Sequence, residues 1–249
     1  MKTYTDIPYV ENATEMQLLD IYLPEKEGFD TIIFLHGGGI TSGNRKNIGY
    51  LDVESFLAKG FGLVGVEYHL YPDAKFPEFI QDSAAAVAYV LNNIGKYGGN
   101  GNVIIAGASA GAYITMMLCM DHRYLEAVGV KQEQIKAYIS DSAQQFCHFN
   151  VLKEMGLDER LERIDEHAPI CFVREGLKIR PVMLIYYSDD IKCRPEETRL
   201  MYASIKNLMP EAVVSIEELP GTHCCRPREA DGSLILTKKV CEFLERVGS

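Results

Sequence analysis

Val103-Ile104-Ile105-Ala106-Gly107-Ala108-Ser109-Ala110-Gly111-Ala112-Tyr113-Ile114-Thr115-Met116-Met117-Leu118-Cys119-Met120 joins two unlike halves. Val103 to Ala106 is a short continuous apolar run of the kind buried in a sheet, and Ala110 to Met120 is a small-residue, Met-rich run of helical length. Between them, Gly107-Ala108-Ser109-Ala110-Gly111 puts a serine at the strand-to-helix turn. A serine on so sharp a turn takes a strained backbone conformation, and the residues two before and two after it must be glycine or very small. Gly107 and Gly111 meet that need. The helix N-terminus also directs backbone N–H groups and a partial positive charge at the serine, which favours a developing oxyanion. Ser109 is therefore read as a nucleophile; the plainer reading is a Gly/Ala-rich packing turn with an incidental serine.

Outward from this junction the pattern repeats. Upstream, alternating Leu19, Ile21 and Leu23 predict an early strand, Thr31–Leu35 a buried strand, Asn47–Lys59 a helix capped at Gly60, and Gly62–Tyr68 a strand. Ile80, Ala84, Val87, Leu91 and Ile94 share one face of a helix over Phe79–Ile94, which the glycine-rich stretch Gly98–Asn102 breaks. Downstream come a strand at Lys136–Ser140, then Pro181–Tyr187 (strand), Glu196–Leu208 (helix), Val213–Leu219 (strand) and Leu234–Val247 (helix). Strands separated by helices of this length imply an α/β fold with a doubly wound, mostly parallel sheet. The region from about 142 to 180 is less regular, with short helical patterns at Phe149–Met155 and Leu157–Ile164. It reads as a small insertion over the C-terminal edge of the sheet, where such sheets bind ligands.

A second motif, His36-Gly37-Gly38-Gly39, ends the strand Thr31–Leu35, and three glycines let a backbone approach a substrate closely. No Lys-Ser/Thr follows, so it is not a phosphate loop. Hydrolases with a serine on such a turn keep the chain order Ser, acid, His. Of six histidines, His36 and His69 precede Ser109, while His122, His148 and His167 precede the late strand that would carry the acid. Only His223 remains, just past Val213–Leu219, as the general base. For the acid, Asp190 follows the strand Pro181–Tyr187; Asp189 beside it and Asp141 after an earlier strand are alternatives.

The 249 residues suit one domain, expected over 1–249, with a sizeable core, and 47% hydrophobic with 24% charged residues is ordinary globular composition. A formal net charge of -10 disfavours nucleic acid and anionic lipid as partners. The N-terminus has no apolar leader, and no run is long enough to span a bilayer. Seven scattered cysteines form neither a secreted disulfide framework nor a paired zinc motif, so the expected home is the reducing cytoplasm.

With both glycine motifs and the Ser…Asp…His order in place, the chain resembles the acetyl esterase and hormone-sensitive-lipase-like branch of the α/β-hydrolase superfamily, over about Met16 to Glu245. Glu67-Tyr68-His69-Leu70-Tyr71-Pro72, then Phe76-Pro77 and Asp82, is similar to that branch's Asp-Tyr-Arg-Leu-Ala-Pro…Phe-Pro…Asp segment, which supports the site without reacting. The chain looks like the short, capless members, which include acetyl-sugar, xylan and feruloyl esterases and formamidase relatives. The resemblance implies an α/β-hydrolase fold with a small helical insertion after the sixth strand, and oxyanion donors at the backbone N–H groups of Gly38, Gly39 and Ala110. It also implies a serine carboxylesterase acting on small soluble acyl esters without metal or organic cofactor. An amidase, formamidase or peptidase with the same triad, and a non-catalytic ligand-binding homologue, are the alternatives.

Two departures from that branch stand out. Ile40 replaces the aromatic residue often found after the glycine triplet, and the chain has no Trp for sugar stacking, although Tyr can substitute. Cys224 and Cys225 follow His223 where relatives continue Gly-Phe, and Cys193 lies on the acid loop. The plain expectation is inert thiols. The alternative is a redox switch in which oxidation links Cys193 to Cys224 or Cys225 and misplaces His223.

Overall fold

The structure is a computed structural model, and it describes residues 2–248. In chain order the elements are β1 (Lys2–Pro8), β2 (Leu18–Leu23), β3 (Phe29–Leu35), α1 (Val53–Ala58), β4 (Gly62–Val66), α2 (Glu78–Asn93), β5 (Gly99–Ala108), α3 (Ala110–Met120), α4 (Arg123–Ala127), β6 (Ile135–Asp141), α5 (Phe149–Glu154), β7 (Val182–Asp189), α6 (Arg194–Leu208), β8 (Val214–Thr222) and α7 (Ile235–Gly248). Among the described residues the strands form one eight-stranded sheet in the order β1-β2-β4-β3-β5-β6-β7-β8. The pairs β1/β2 and β2/β4 are antiparallel, and every pair from β4 to β8 is parallel.

The inner parallel strands β3 to β7 are largely buried on both faces, which is why they read as apolar runs, whereas β8 at the edge is mostly half-exposed. Ile33, Leu35, Val103 and Ile105 point into one core layer with α2, α3 and α6, where Val87, Met117 and Ile205 lie. Ile32, Phe34, Ile104 and Ala106 point the other way, onto Phe56 of α1 and Val240, Phe243 and Leu244 of α7. Each such buried aliphatic side chain stabilises the fold by about 1.5–3 kcal/mol. Helix α3 is buried along its whole length, so it has no polar face and no amphipathic signature.

Register positions the site. Leu35 pairs with Gly107, Ala108 with Asp141, and Asp189 with Thr222. The last residues of β3, β5, β6, β7 and β8 are Leu35, Ala108, Asp141, Asp189 and Thr222, so His36, Ser109, Ser142, Asp190 and His223 each step off the same sheet edge.

Several sequence expectations shift. β1 was not legible because it is an edge strand with mostly exposed positions and no apolar alternation. Its presence makes Ile135–Asp141 the sixth strand, and the insertion does follow it. The predicted helix Asn47–Lys59 is a 3-10 segment at Arg45–Tyr50 and the separate α1, ending at Gly60 with φ +83°. The glycines at 98–102 do not stand outside the sheet: β5 starts at Gly99. In the insertion, α5 forms as expected. Leu157–Ile164 is turn and coil instead of a helix, since Leu161 and Ile164 are exposed and bury no apolar stripe. β8 runs on to Thr222, so Pro220-Gly221-Thr222 ends a strand. No helix of the described residues is long and apolar enough to cross a membrane.

Candidate active site

Ser109 has φ +54° and ψ -116°, a conformation that costs on the order of 1–3 kcal/mol in a residue with a side chain. Packing enforces it. A Cβ on Gly107 would collide with the Gly111 carbonyl, and a Cβ on Gly111 with the Leu35 and His36 carbonyls, so the first turn of α3 rests on backbone alone. Ser109 N–H donates to the Asp141 carbonyl at 2.8 Å, and the Ser109 carbonyl accepts Tyr113 N–H to start the helix. Ser109 occupies the N-cap position of α3 but makes no side-chain cap, which leaves its hydroxyl for other partners.

That partner is His223. Its Nε2 lies 2.9 Å from Ser109 Oγ, and its Nδ1 lies 2.5 Å from Asp190 Oδ1. The Asp190 carboxylate is fully buried and also accepts Ser142 Oγ–H at 3.0 Å, Ile191 N–H at 2.8 Å and Tyr187 N–H at 3.2 Å. Burial works against its charge, but His223 and these donors outweigh that and hold its pKa below the usual carboxylate range. Of the three candidate acids, Asp190 is the one that meets His223. Asp189 faces solvent at the end of β7. Asp141 lies beneath the site, where its carboxylate accepts Tyr50 O–H and meets Ser142 Oγ at 3.3 Å and Tyr187 Oη at 3.4 Å.

The glycine triplet sits against the elbow: a Cβ on Gly37 would stand 3.0 Å from the Ala108 carbonyl oxygen and 3.3 Å from Ser109 Cβ. Each carbonyl of the triplet is held. Gly37 O is 2.8 Å from His36 Nδ1, Gly38 O accepts Thr41 and Ser42 N–H at 3.1 Å, and Gly39 O accepts Asn150 Nδ2. In a trans peptide the following N–H points opposite to the carbonyl, so the Gly38 and Gly39 N–H groups turn away from these contacts. Gly38 and Gly39 have φ of +117° and +65°, which favours glycine. Ala110 opens α3, and its N–H is among the first-turn donors without an intrahelical acceptor.

Behind the loop lies the Glu67-Tyr68-His69 segment. Tyr68 stacks on His36 at 4.3 Å and donates its hydroxyl to the His36 carbonyl at 2.6 Å. Glu67 faces His36 Nε2 at 3.6 Å and binds Arg45, which also binds Asp20 and Asp6. His69 pairs with Asp82 at 2.6 Å, and Gln17 reaches the other oxygen of Asp82. These residues fix the strand ends and touch no part of the Ser109–His223–Asp190 line.

Sequence reasoning missed Ser142, Asn150, Tyr50 and Tyr187. Ser142 was detectable as the residue stepping off β6, in the same place as Ser109 on β5; Tyr187 lies within β7, where it reads only as a strand residue, and Tyr50 and Asn150 come from a 3-10 segment and the insertion with no periodic signal. The cysteines near the site are free. Burial pushes the Cys224 thiol well up, and a hydrogen bond to Glu162 raises that of the exposed Cys193, so neither is biased toward thiolate.

The BD-FAE family model matches residues 19–159, more than half of the chain. Esterase LipC of Mycobacterium tuberculosis is 32% identical over 106 residues, 41% of this chain and 26% of that protein. An acetyl esterase of Salmonella paratyphi B is 31% identical over 112 residues, 44% of this chain and 32% of the relative. The match thus spans a third or less of these curated relatives. A solved truncated form of a carbohydrate esterase from gut microbiota shares the fold, with a TM-score of 0.78 at 18% identity over 99% of this chain and 96% of that one. The sheet order, the elbow and the family match agree: the chain belongs to the BD-FAE family of α/β-hydrolase esterases.

Proposed function

We propose that the protein is a serine carboxylesterase that hydrolyses small soluble acyl esters, acetyl esters foremost, with Ser109, His223 and Asp190 as its triad. The observation that carries this reading is the hydrogen-bonded line from Ser109 Oγ through His223 to the buried Asp190 carboxylate. His223 Nε2 takes the Ser109 proton as Oγ attacks the ester carbonyl, and Asp190 holds Nδ1–H and offsets the imidazolium charge. The N–H groups of Gly38, Gly39 and Ala110 receive the tetrahedral oxyanion. The imidazolium returns its proton to the leaving alkoxide, and water, deprotonated by the same nitrogen, cleaves the acyl-enzyme.

The short-acyl reading rests on Phe149. Its ring lies over Gly39, where a Cβ would stand 2.9 Å from Cζ, so a bulky aromatic closes the space beside the oxyanion loop. The names of the acetyl esterase and carbohydrate esterase relatives point the same way. We read residues 1–249 as one catalytic domain, with Met1 and Ser249 outside the described residues, and place it in the cytoplasm, where the seven free cysteines stay reduced.

The test is hydrolysis of p-nitrophenyl acetate by the wild type and Ser109→Ala. Loss of at least about a thousandfold in kcat is expected for the variant. Equal rates, or no labelling of the wild type by a fluorophosphonate, overturn the assignment. Matched acetanilide and phenyl acetate substrates then separate ester from amide preference.

A further inference from the structure

We propose that Asp141 and Ser142 are positioning residues for this site: a neutral Asp141 carboxyl donates to Ser142 Oγ, and Ser142 Oγ–H in turn donates to Asp190. This rests on the reading of Ser109, His223 and Asp190 as the triad, and extends it by two residues.

The argument begins with a proton count. Ser142 Oγ lies 3.0 Å from Asp190 Oδ2 and 3.3 Å from Asp141 Oδ1. A hydroxyl carries one proton. Between two ionised carboxylates it serves one and faces the other lone pair to lone pair. With a proton on Asp141 Oδ1, both contacts become hydrogen bonds. The remaining oxygen, Asp141 Oδ2, accepts from Tyr50, whose own oxygen is 3.1 Å from Tyr187 Oη. The donors then run in one direction, from Tyr187 through Tyr50, Asp141 and Ser142 to Asp190, where they meet His223 Nδ1–H arriving from the other side.

The surroundings extend the range of the neutral carboxyl up to about pH 6. Asp141 is buried between β5 and β7 and faces Tyr50 from the turn before α1, Tyr187 and Asp190 from β7 and its loop, and His223 and Cys224 from the loop after β8. The Arg226 guanidinium lies 5.7 Å from the Tyr50 ring. Burial, then the Asp190 charge, push the Asp141 carboxyl up to about 6 against the pull of Tyr50, Ser142 and a protonated His223. The His223 contribution vanishes while the imidazole is neutral, which is the form that accepts the Ser109 proton.

The main chain of the same two residues completes the clip. The Asp141 carbonyl accepts Ser109 N–H at 2.8 Å, and Ser142 N–H donates to the Ile185 carbonyl at 2.9 Å. Ser142 itself has φ +58°, a left-handed conformation that turns its side chain off the strand end. One dipeptide thus holds the nucleophile through its backbone and the acid through its side chain.

The test compares Asp141→Asn, Asp141→Ala, Ser142→Ala and Ser109→Ala on p-nitrophenyl acetate across pH, with thermal unfolding alongside. The carboxamide of Asp141→Asn still donates to Ser142 and accepts from Tyr50, so below about pH 6, where wild-type Asp141 keeps its proton, its kcat stays within about threefold of wild type, whereas Asp141→Ala and Ser142→Ala lose about tenfold or more with KM unchanged. In Ser142→Ala, Asp190 loses a donor and holds the imidazolium more tightly, so the acid limb of kcat/KM moves to higher pH. If Asp141→Ala does not fold, Asp141→Asn and Ser142→Ala carry the comparison alone. The proposal is overturned if Asp141→Asn falls as far as Asp141→Ala or Ser142→Ala, or if Ser142→Ala keeps both the wild-type rate and the wild-type acid limb. Activity surviving in Ser109→Ala overturns the triad instead, so the two failures are distinct.

Discussion

Gly111, on the first turn of α3, lies so close to the Leu35 carbonyl at the end of β3 that a single added carbon has no room. This contact joins the serine turn to the strand that carries the glycine triplet. Both collision partners are backbone, so neither can rotate away. Gly111→Ala is therefore expected to cost about 3 kcal/mol or more of stability, beyond the range of an ordinary surface substitution, and to lower kcat as the two loops separate. Urea unfolding measures the first and p-nitrophenyl acetate turnover the second. An alanine variant with wild-type midpoint and rate contradicts the packing argument.

That contact also explains why so much was legible in the chain. The glycines at 107 and 111 are there because backbone meets backbone, and such needs leave a mark on sequence. The buried strands did likewise, since both faces demand apolar residues. β1 left no mark because one neighbour and mostly exposed side chains impose no pattern. Chain order left His223 alone among six histidines, and the structure brings it to Ser109 and to Asp190, one of three candidate acids. The supports of this line were not legible. Tyr50, Tyr187, Ser142 and Asn150 act through long-range contacts across separations of 46 to 137 residues, and no local period encodes such pairs. The Leu157–Ile164 pattern misled for the opposite reason: helical spacing existed without a surface to cover it.

Phe149 lies over Gly39, and Asn150 beside it bonds the Gly39 carbonyl, so the start of α5 both pins the oxyanion loop and narrows the space next to it. Phe149→Ala removes the ring and keeps the Asn150 bond. Preference is then expected to move toward longer acyl chains, with kcat/KM for p-nitrophenyl hexanoate rising about tenfold relative to acetate, the effect of one to two methylene-sized contacts. A chain-length profile from acetate to octanoate reads this directly. An unchanged profile means that another wall sets acyl length.

Asp141 makes stability depend on pH in a direction opposite to that of a salt-bridged carboxylate. Its folded pKa, about 6, lies above the ordinary value of 3.8, chiefly because burial disfavours the charge. Between these values the unfolded chain has released a proton that the folded chain retains, so the folded state binds more protons and stability falls as pH rises. The contribution is full below about 3.8 and is lost as pH rises through about 6, a difference on the order of 3 kcal/mol. Asn at this position does not ionise. The stability of Asp141→Asn relative to wild type is therefore expected to increase by about that amount between pH 4 and pH 8, read from urea midpoints of the two proteins measured side by side. Taking the difference removes the titration of every group the two proteins share. A difference that stays flat with pH means that Asp141 ionises at the same pH in the folded and unfolded chains, and that burial there is offset by donors stronger than Tyr50 and Ser142.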